Sequence, residues 1–334
     1  VTAREIERLR GPVLRSVSRS FYLSLRLLPR ALRDPLSLAY LLARATDTIA
    51  DTPEPPLKMR AQSLRELAGA IQGTAAEDAV ERVRAGFAPL QKDEAERALI
   101  DALPAAIAWL DLVDDRERRE VRDVLKKINL GQTFDLERFG ESTSVRALAT
   151  SAELDEYTYL VAGCVGEFWT RICFAHIRNF SDRPEPEMLA LGARYGEGLQ
   201  LVNILRDAGS DLREGRCYLP ADELHSLGLT PEEILDGPAR VDSLIRRWRE
   251  KAGEGMRAGI EYACAIRSRR IRFATVLPAL IGARTLALLR DAGTDVFERK
   301  VKVSRAEIKR IMGSLAATLV SPPSLRRMFA RLSR

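Results

Sequence analysis

The sequence predicts an all-α protein, and three observations predict it. Apolar residues recur at three- and four-residue intervals through nearly every segment, the period of a helix with one buried face. Alternating runs rich in Val, Ile and Thr are missing, and so are Asn-Gly hairpin turns. Breakers come in short clusters, TPEPP at 52–56, DRPEPE at 182–187, DGPA at 236–239 and SPPS at 321–324, which end helices without opening long linkers. With 334 residues, 46% of them hydrophobic, the chain carries enough apolar surface for a sizeable core. The expectation is a single domain over 1–334, a wide helical bundle with a short basic tail from about 321 to 334 and no solenoid repeat.

At the start, VTAREIERLRG has charges where a signal peptide needs its apolar centre. Its first residue is Val1, so the start reads as processed or trimmed. The most apolar stretch, FATVLPALIGARTLALL from Phe273 to Leu289, is interrupted by Pro278, Gly282 and Arg284 and reads as too broken to span a bilayer. Cys164, Cys173, Cys217 and Cys264 lie far apart in apolar text, which reads as reduced packing residues of a cytosolic protein and not as a zinc site or disulfide framework. Only His176 and His225 are available, too few and too isolated for a histidine metal centre or a hydrolytic triad. The net charge of +6 collects in IRRWREK (245–251), IRSRRIR (266–272) and the terminal LRRMFARLSR. Solvated helix faces explain such clusters, and an anionic membrane surface or a phosphorylated ligand is the alternative. Nucleic acid is not expected, because no zinc-finger, basic-zipper or RNA-binding motif accompanies the charge.

Chemistry enters at YLLARATDTIADT, residues 40–52. On a helix, Asp47 and Asp51 point the same way and Arg44 lies close to that face. An exposed charged stripe is the common fate of such a pair, and Asp111 and Asp115 in LDLVDDRERREV read that way. SLAYLLARA, in contrast, predicts a mostly buried helix ahead of DTIAD. Two like charges there repel and are costly to desolvate unless a cation sits between them. Residues 200–220, QLVNILRDAGSDLREGRCYLP, repeat the spacing with Asp207 and Asp211. Gln200 and Asn203 precede them on one stripe, Arg206 adjoins, and Arg213, Arg216 and Tyr218 follow. If the two helices face each other, four carboxylates surround a small volume, a charge suited to magnesium ions that bridge to diphosphate oxygens. Arginines beside both pairs would take up charge on a departing diphosphate.

These stretches resemble the squalene/phytoene synthase family, the head-to-head branch of the all-helical isoprenoid synthases. SRSFYLSLRLLP (18–29), YLLARATDTIAD (40–51), YTYLVAGCVGE (157–167), QLVNILRDAGSDLREGRCYLP (200–220) and VLPAL (276–280) resemble its segments in order. The resemblance implies an isoprenoid synthase bundle with a central cavity, two prenyl diphosphate substrates, Mg²⁺ held by Asp47, Asp51, Asp207 and Asp211, and a cyclopropylcarbinyl diphosphate intermediate. Farnesyl diphosphate with NADPH would give squalene; without reduction the product is phytoene or dehydrosqualene. Ser18, Arg19, Ser20 and Phe21 resemble residues that contact diphosphate and the first prenyl chain, with Phe21 among the catalytic set. Tyr40 and Arg44 would support the leaving diphosphate, and Tyr157 would steer proton removal or else be a paired core tyrosine. Gln200, Asn203, Arg206, Arg216 and Tyr218 would bind substrate, with Asp135 or Glu137 of GQTFDLERF as an extra ligand. Phe168, Trp169 and Phe273 are candidates to face cationic intermediates, or are plain core. DTIAD is nearer the squalene-type pattern and GRCYLP nearer the bacterial and phytoene pattern. A non-catalytic helical assembly factor of the same family is the distant alternative, and it should have lost some of the four aspartates. The expected location is cytoplasmic, with the terminal LRRMFARLSR either at a membrane interface or a frayed basic tail.

Overall fold

A computed structural model describes residues 1–18, 22, 25, 28–140, 144–318 and 321–334. They form two compact units, Val1–Gly140 with Arg171–His176, and Glu141–Thr170 with Ile177–Arg334. The first unit holds α1 (Ala3–Arg8), α2 (Leu14–Ser18), α3 (Arg30–Asp51), α4 (Leu57–Gln72), α5 (Ala79–Phe87), α6 (Glu94–Asp101), α7 (Leu103–Leu110) and α8 (Asp115–Phe139). At its centre is α3, which packs against α4, α6, α7 and α8. Leu32, Leu38, Leu41, Leu42 and Ile49 are fully buried on its inner face, each such side chain stabilising the fold by about 1.5–3 kcal/mol.

The end of α3 is set by sequence. Pro53 drives Thr52 out of the helical region, and Thr52 has φ −70° and ψ 113°. The hydroxyl of Thr52 donates to the Thr48 carbonyl at 2.6 Å and accepts from Gln91 Nε2 at 3.0 Å. The last turn, which carries Asp47 and Asp51, is therefore tied down rather than frayed.

In the second unit, α9 (Ser151–Thr158) runs through a π-helical turn, Tyr159–Gly163, into α10 (Cys164–His176), whose Arg171–His176 end belongs to the first unit. There follow α11 (Glu185–Arg213), α12 (Ala221–Ser226), α13 (Asp242–Ala265), α14 (Arg269–Ala292), α15 (Arg305–Thr318) and α16 (Pro322–Leu332). Two short parallel strands, β1 (Arg146–Leu148) and β2 (Arg216–Pro220), pair Arg146 with Arg216 and Ala147 with Cys217. Long α11 packs on α13, α14 and the π-helical turn. Its backbone touches α10 directly, since a Cβ at Gly166 would lie 2.0 Å from the Gly192 carbonyl oxygen.

Three sequence expectations are corrected. Pro278, Gly282 and Arg284 do not interrupt α14, which is long and apolar enough to cross a membrane by length and composition; 67% of that window is buried inside the protein. Gly282 packs on Met256 and Arg284 pairs with Glu307 of α15 at 2.6 Å, so burial and tertiary partners sustain the helix. The basic tail is not frayed: α16 buries Leu325 and Met328, and Arg326 binds Glu261 of α13 through two hydrogen bonds of 2.7 Å. Asp111 and Asp115 are exposed as expected, but they sit on different elements, Asp111 capping the end of α7 and Asp115 opening α8. All four cysteines are buried thiols outside any disulfide among the described residues.

Candidate functional site

Residues 40, 44, 47 and 51 fall on one stripe of α3, the side away from its buried leucines. Arg44, half-buried, forks between two carboxylates: Nη1 donates to Asp47 Oδ2 and Nη2 donates to Glu96 Oε1 of α6. Tyr40 donates its hydroxyl to the Val17 carbonyl at 3.2 Å, one residue before the SRSF segment. Ser18 is buried and its hydroxyl donates back to the Leu14 carbonyl of its own helix. Arg19, Ser20 and Phe21 lie outside the described residues.

Burial and the neighbouring Asp51 push the Asp47 carboxyl up to about 6, against the opposing pull of Arg44. Because 41% of its side-chain surface remains open, the carboxylate is reachable from solvent and screening reduces the penalty. Two hard oxygen donors that repel one another on successive turns fit a divalent cation. Among the described residues no group of three or more His, Cys, Asp or Glu side chains closes around one point. Each pair brings two carboxylates to one face of its helix, the donor type that hard divalent cations take.

In the second unit, residues 200, 203, 207 and 211 share a stripe of α11, with Leu201, Val202, Ile204 and Leu205 buried beside it. Asp207 is gripped by its neighbour Arg206, whose Nε donates to Oδ1 at 3.1 Å and whose Nη2 donates to Oδ2. Asp211 lies 3.7 Å from Arg216. That contact depends on Gly215, whose φ of +81° turns the chain back after α11. Arg216 also binds Glu214. Tyr157, buried at the end of α9, stacks on Tyr218 of β2 with ring centroids 5.3 Å apart and planes at 25°. Gln200 is half-buried and Asn203 exposed. Phe168 is buried, Trp169 and Phe273 are half-buried, and on α8 Asp135 is half-buried while Glu137 is exposed.

Sequence reasoning missed several partners. Glu96 lies in DEAERAL, which reads as an ordinary charged first turn. Lys300 sits 3.7 Å from Asp207. Its segment is held near α11 because Arg213 donates to the Phe297 carbonyl and Gly209 leaves room for that backbone, a Cβ there lying 2.4 Å from Phe297 O. On α8, the Asn129 amide and Gln132 Oε1 are buried with no hydrogen-bond partner among the described residues. Their signal was visible: polar residues inside an otherwise apolar helical period.

The fold is that of the all-α isoprenoid synthases. A solved structure of TcSQS in complex with the ligand BPH1237 matches 98% of this chain and 90% of its own, with a TM-score of 0.79 and 20% identity. The family model for squalene/phytoene synthase matches residues 14–307, and the chain belongs to that family of prenyltransferases of isoprenoid biosynthesis. A bifunctional lycopene cyclase/phytoene synthase of Neurospora crassa is 32% identical over 75% of this chain and 42% of its own length. A 15-cis-phytoene synthase of Synechocystis is 30% identical over 72% of this chain and 66% of its own. The chain thus spans less than half of the Neurospora protein and about two thirds of the Synechocystis one.

Proposed function

We propose that this protein joins two prenyl diphosphates head to head in a magnesium-dependent reaction, with farnesyl diphosphate as substrate and squalene as product. The observation that carries the reading is the Asp47–Asp51 pair, two crowded carboxylates on a pinned helix end beside an arginine already committed to Asp47. Asp207 and Asp211 repeat the arrangement with Arg206 and Arg216. Bound magnesium would neutralise the diphosphate and make it a leaving group. Arg44, Arg206 and Arg216 would orient the phosphates, and Tyr40 would support the leaving diphosphate beside Arg44. Tyr157, set by its stack on Tyr218, would steer removal of the proton lost as the cyclopropylcarbinyl diphosphate closes, the diphosphate released in the first ionisation accepting it. NADPH would supply the hydride that completes squalene.

A second reading, phytoene or dehydrosqualene synthesis without reduction, is favoured by the names of the relatives at 30–32% identity. Incubation with farnesyl or geranylgeranyl diphosphate, Mg²⁺ and NADPH, followed by mass spectrometry of the hydrocarbon, separates the two. Squalene that depends on NADPH supports the first; a product from geranylgeranyl diphosphate alone, or one indifferent to NADPH, overturns it. If no hydrocarbon forms and Asp47→Asn leaves every measured property unchanged, the non-catalytic alternative takes its place.

A further inference from the structure

Arg44 divides its guanidinium between two carboxylates, and only one of them belongs to the acidic pair. Nη1 engages a single oxygen of Asp47, Oδ2, while Nη2 is taken by Glu96. A free guanidinium beside a carboxylate prefers the two-pronged fork. Asp207 shows the result, with both of its oxygens engaged by Arg206. Among the described residues Glu96 holds the second prong of Arg44, so that Arg44 reaches Asp47 through Oδ2 alone.

The placement of Glu96 is built into the frame of the first unit. Gln91 ties the start of α6 to the end of α3: its amide donates to Thr52 Oγ1 at 3.0 Å, and its carbonyl accepts from Arg97 Nε at 3.2 Å and Nη2 at 2.6 Å. Asp93 caps α6 by accepting from the Ala95 N–H at 2.7 Å. Glu96 is therefore presented toward Arg44 from a short helix fixed at its first turn, with 27% of its side-chain surface exposed. Its negative charge also offsets the positive charge that Arg44 places beside an incoming cation.

We propose that Glu96 is a positioning residue for divalent-cation binding at Asp47 and Asp51, acting by restraining Arg44. The inference rests on the magnesium-dependent reading above and is independent of which hydrocarbon is made. Its test is Mn²⁺ binding followed by electron paramagnetic resonance, with inorganic diphosphate present, on the wild type, Glu96→Ala, Glu96→Gln and the Glu96→Ala/Arg44→Lys double variant. Glu96→Ala should weaken Mn²⁺ binding about tenfold, as a freed Arg44 closes its fork on Asp47. Glu96→Gln, which keeps an acceptor for Nη2 but loses the charge, should weaken it less. Lysine cannot fork, so the double variant should regain part of the loss. Unchanged Mn²⁺ affinity in Glu96→Ala, or no recovery in the double variant, overturns the assignment. If Glu96→Ala does not fold, as read by circular dichroism, Glu96→Gln against the wild type decides by the same criterion. A wild type that takes up no Mn²⁺ would instead remove the magnesium reading itself.

Discussion

Asp47 and Asp207 begin the same four-residue spacing, but their local chemistry differs. Asp47 shares its arginine with Glu96, whereas Asp207 holds both prongs of Arg206 and lies near Lys300. Replacing Asp47 by Asn should lower kcat/KM by at least a hundredfold, about 2.7 kcal/mol of transition-state stabilisation, with the fold intact by circular dichroism. Glu197 offers a test of pH dependence away from these pairs. Burial, and then the nearby Asp155, raise its carboxyl above the usual value, while Lys251 and Arg194 oppose the shift. A raised native value means that its stabilising contribution is complete below the unfolded value near 4.5 and is lost as pH rises through the native one. Glu197→Gln stays neutral throughout. Thermal melts should show the variant and wild type equal near about pH 4 and the variant more stable by about pH 8.

At the scale of elements, packing decides what propensity alone would get wrong. Alanine is a better helix former than glycine by about 1 kcal/mol, yet Gly166→Ala should destabilise the protein. The added Cβ would fall 2.0 Å from the Gly192 carbonyl oxygen, and overpacking of this kind costs about 1–3 kcal/mol or more. Denaturant unfolding reads the sign directly. The last helix, α16, makes a second case. Glu261 is held below the usual carboxylate range, chiefly by its hydrogen bonds from Arg326. A lowered native value means that the docking contribution is present above the unfolded value and is lost as pH falls through the native one. Arg326→Ala should expose α16 to proteolysis at neutral pH and flatten the acid dependence seen in wild type, both measurable by limited digestion.

On the scale of the whole molecule, each compact unit carries one acidic pair with its own arginines. Ligands that bind the native state raise its stability by mass action, by about 2.7 kcal/mol at a hundred times Kd. Mg²⁺ and inorganic diphosphate together should therefore raise the Tm more than either alone. Asp47→Asn and Asp207→Asn should each reduce that shift, and an unchanged shift in either variant would exclude its pair from cation binding. The likeness to the solved TcSQS structure over 98% of the chain carries the fold, and the match over residues 14–307 carries the family.

What the sequence determined by itself was periodic and local. Three- and four-residue spacing fixes which side chains share a helix face, so the all-α class and both acid pairs could be read directly. Pro53, within the TPEPP cluster, could likewise be read as a stop, because it restricts the backbone of the residue before it. Partners brought in from distant segments were a different matter. Glu96 on Arg44, Lys300 near Asp207, Tyr218 on Tyr157 and Arg326 on Glu261 join residues whose separation along the chain carries no pattern. The persistence of α14 through Pro278, Gly282 and Arg284, and the docking of the basic C-terminal stretch, were likewise decided by tertiary structure. Burial and long-range ion pairing there outweigh local propensity, and neither quantity exists until the chain has folded.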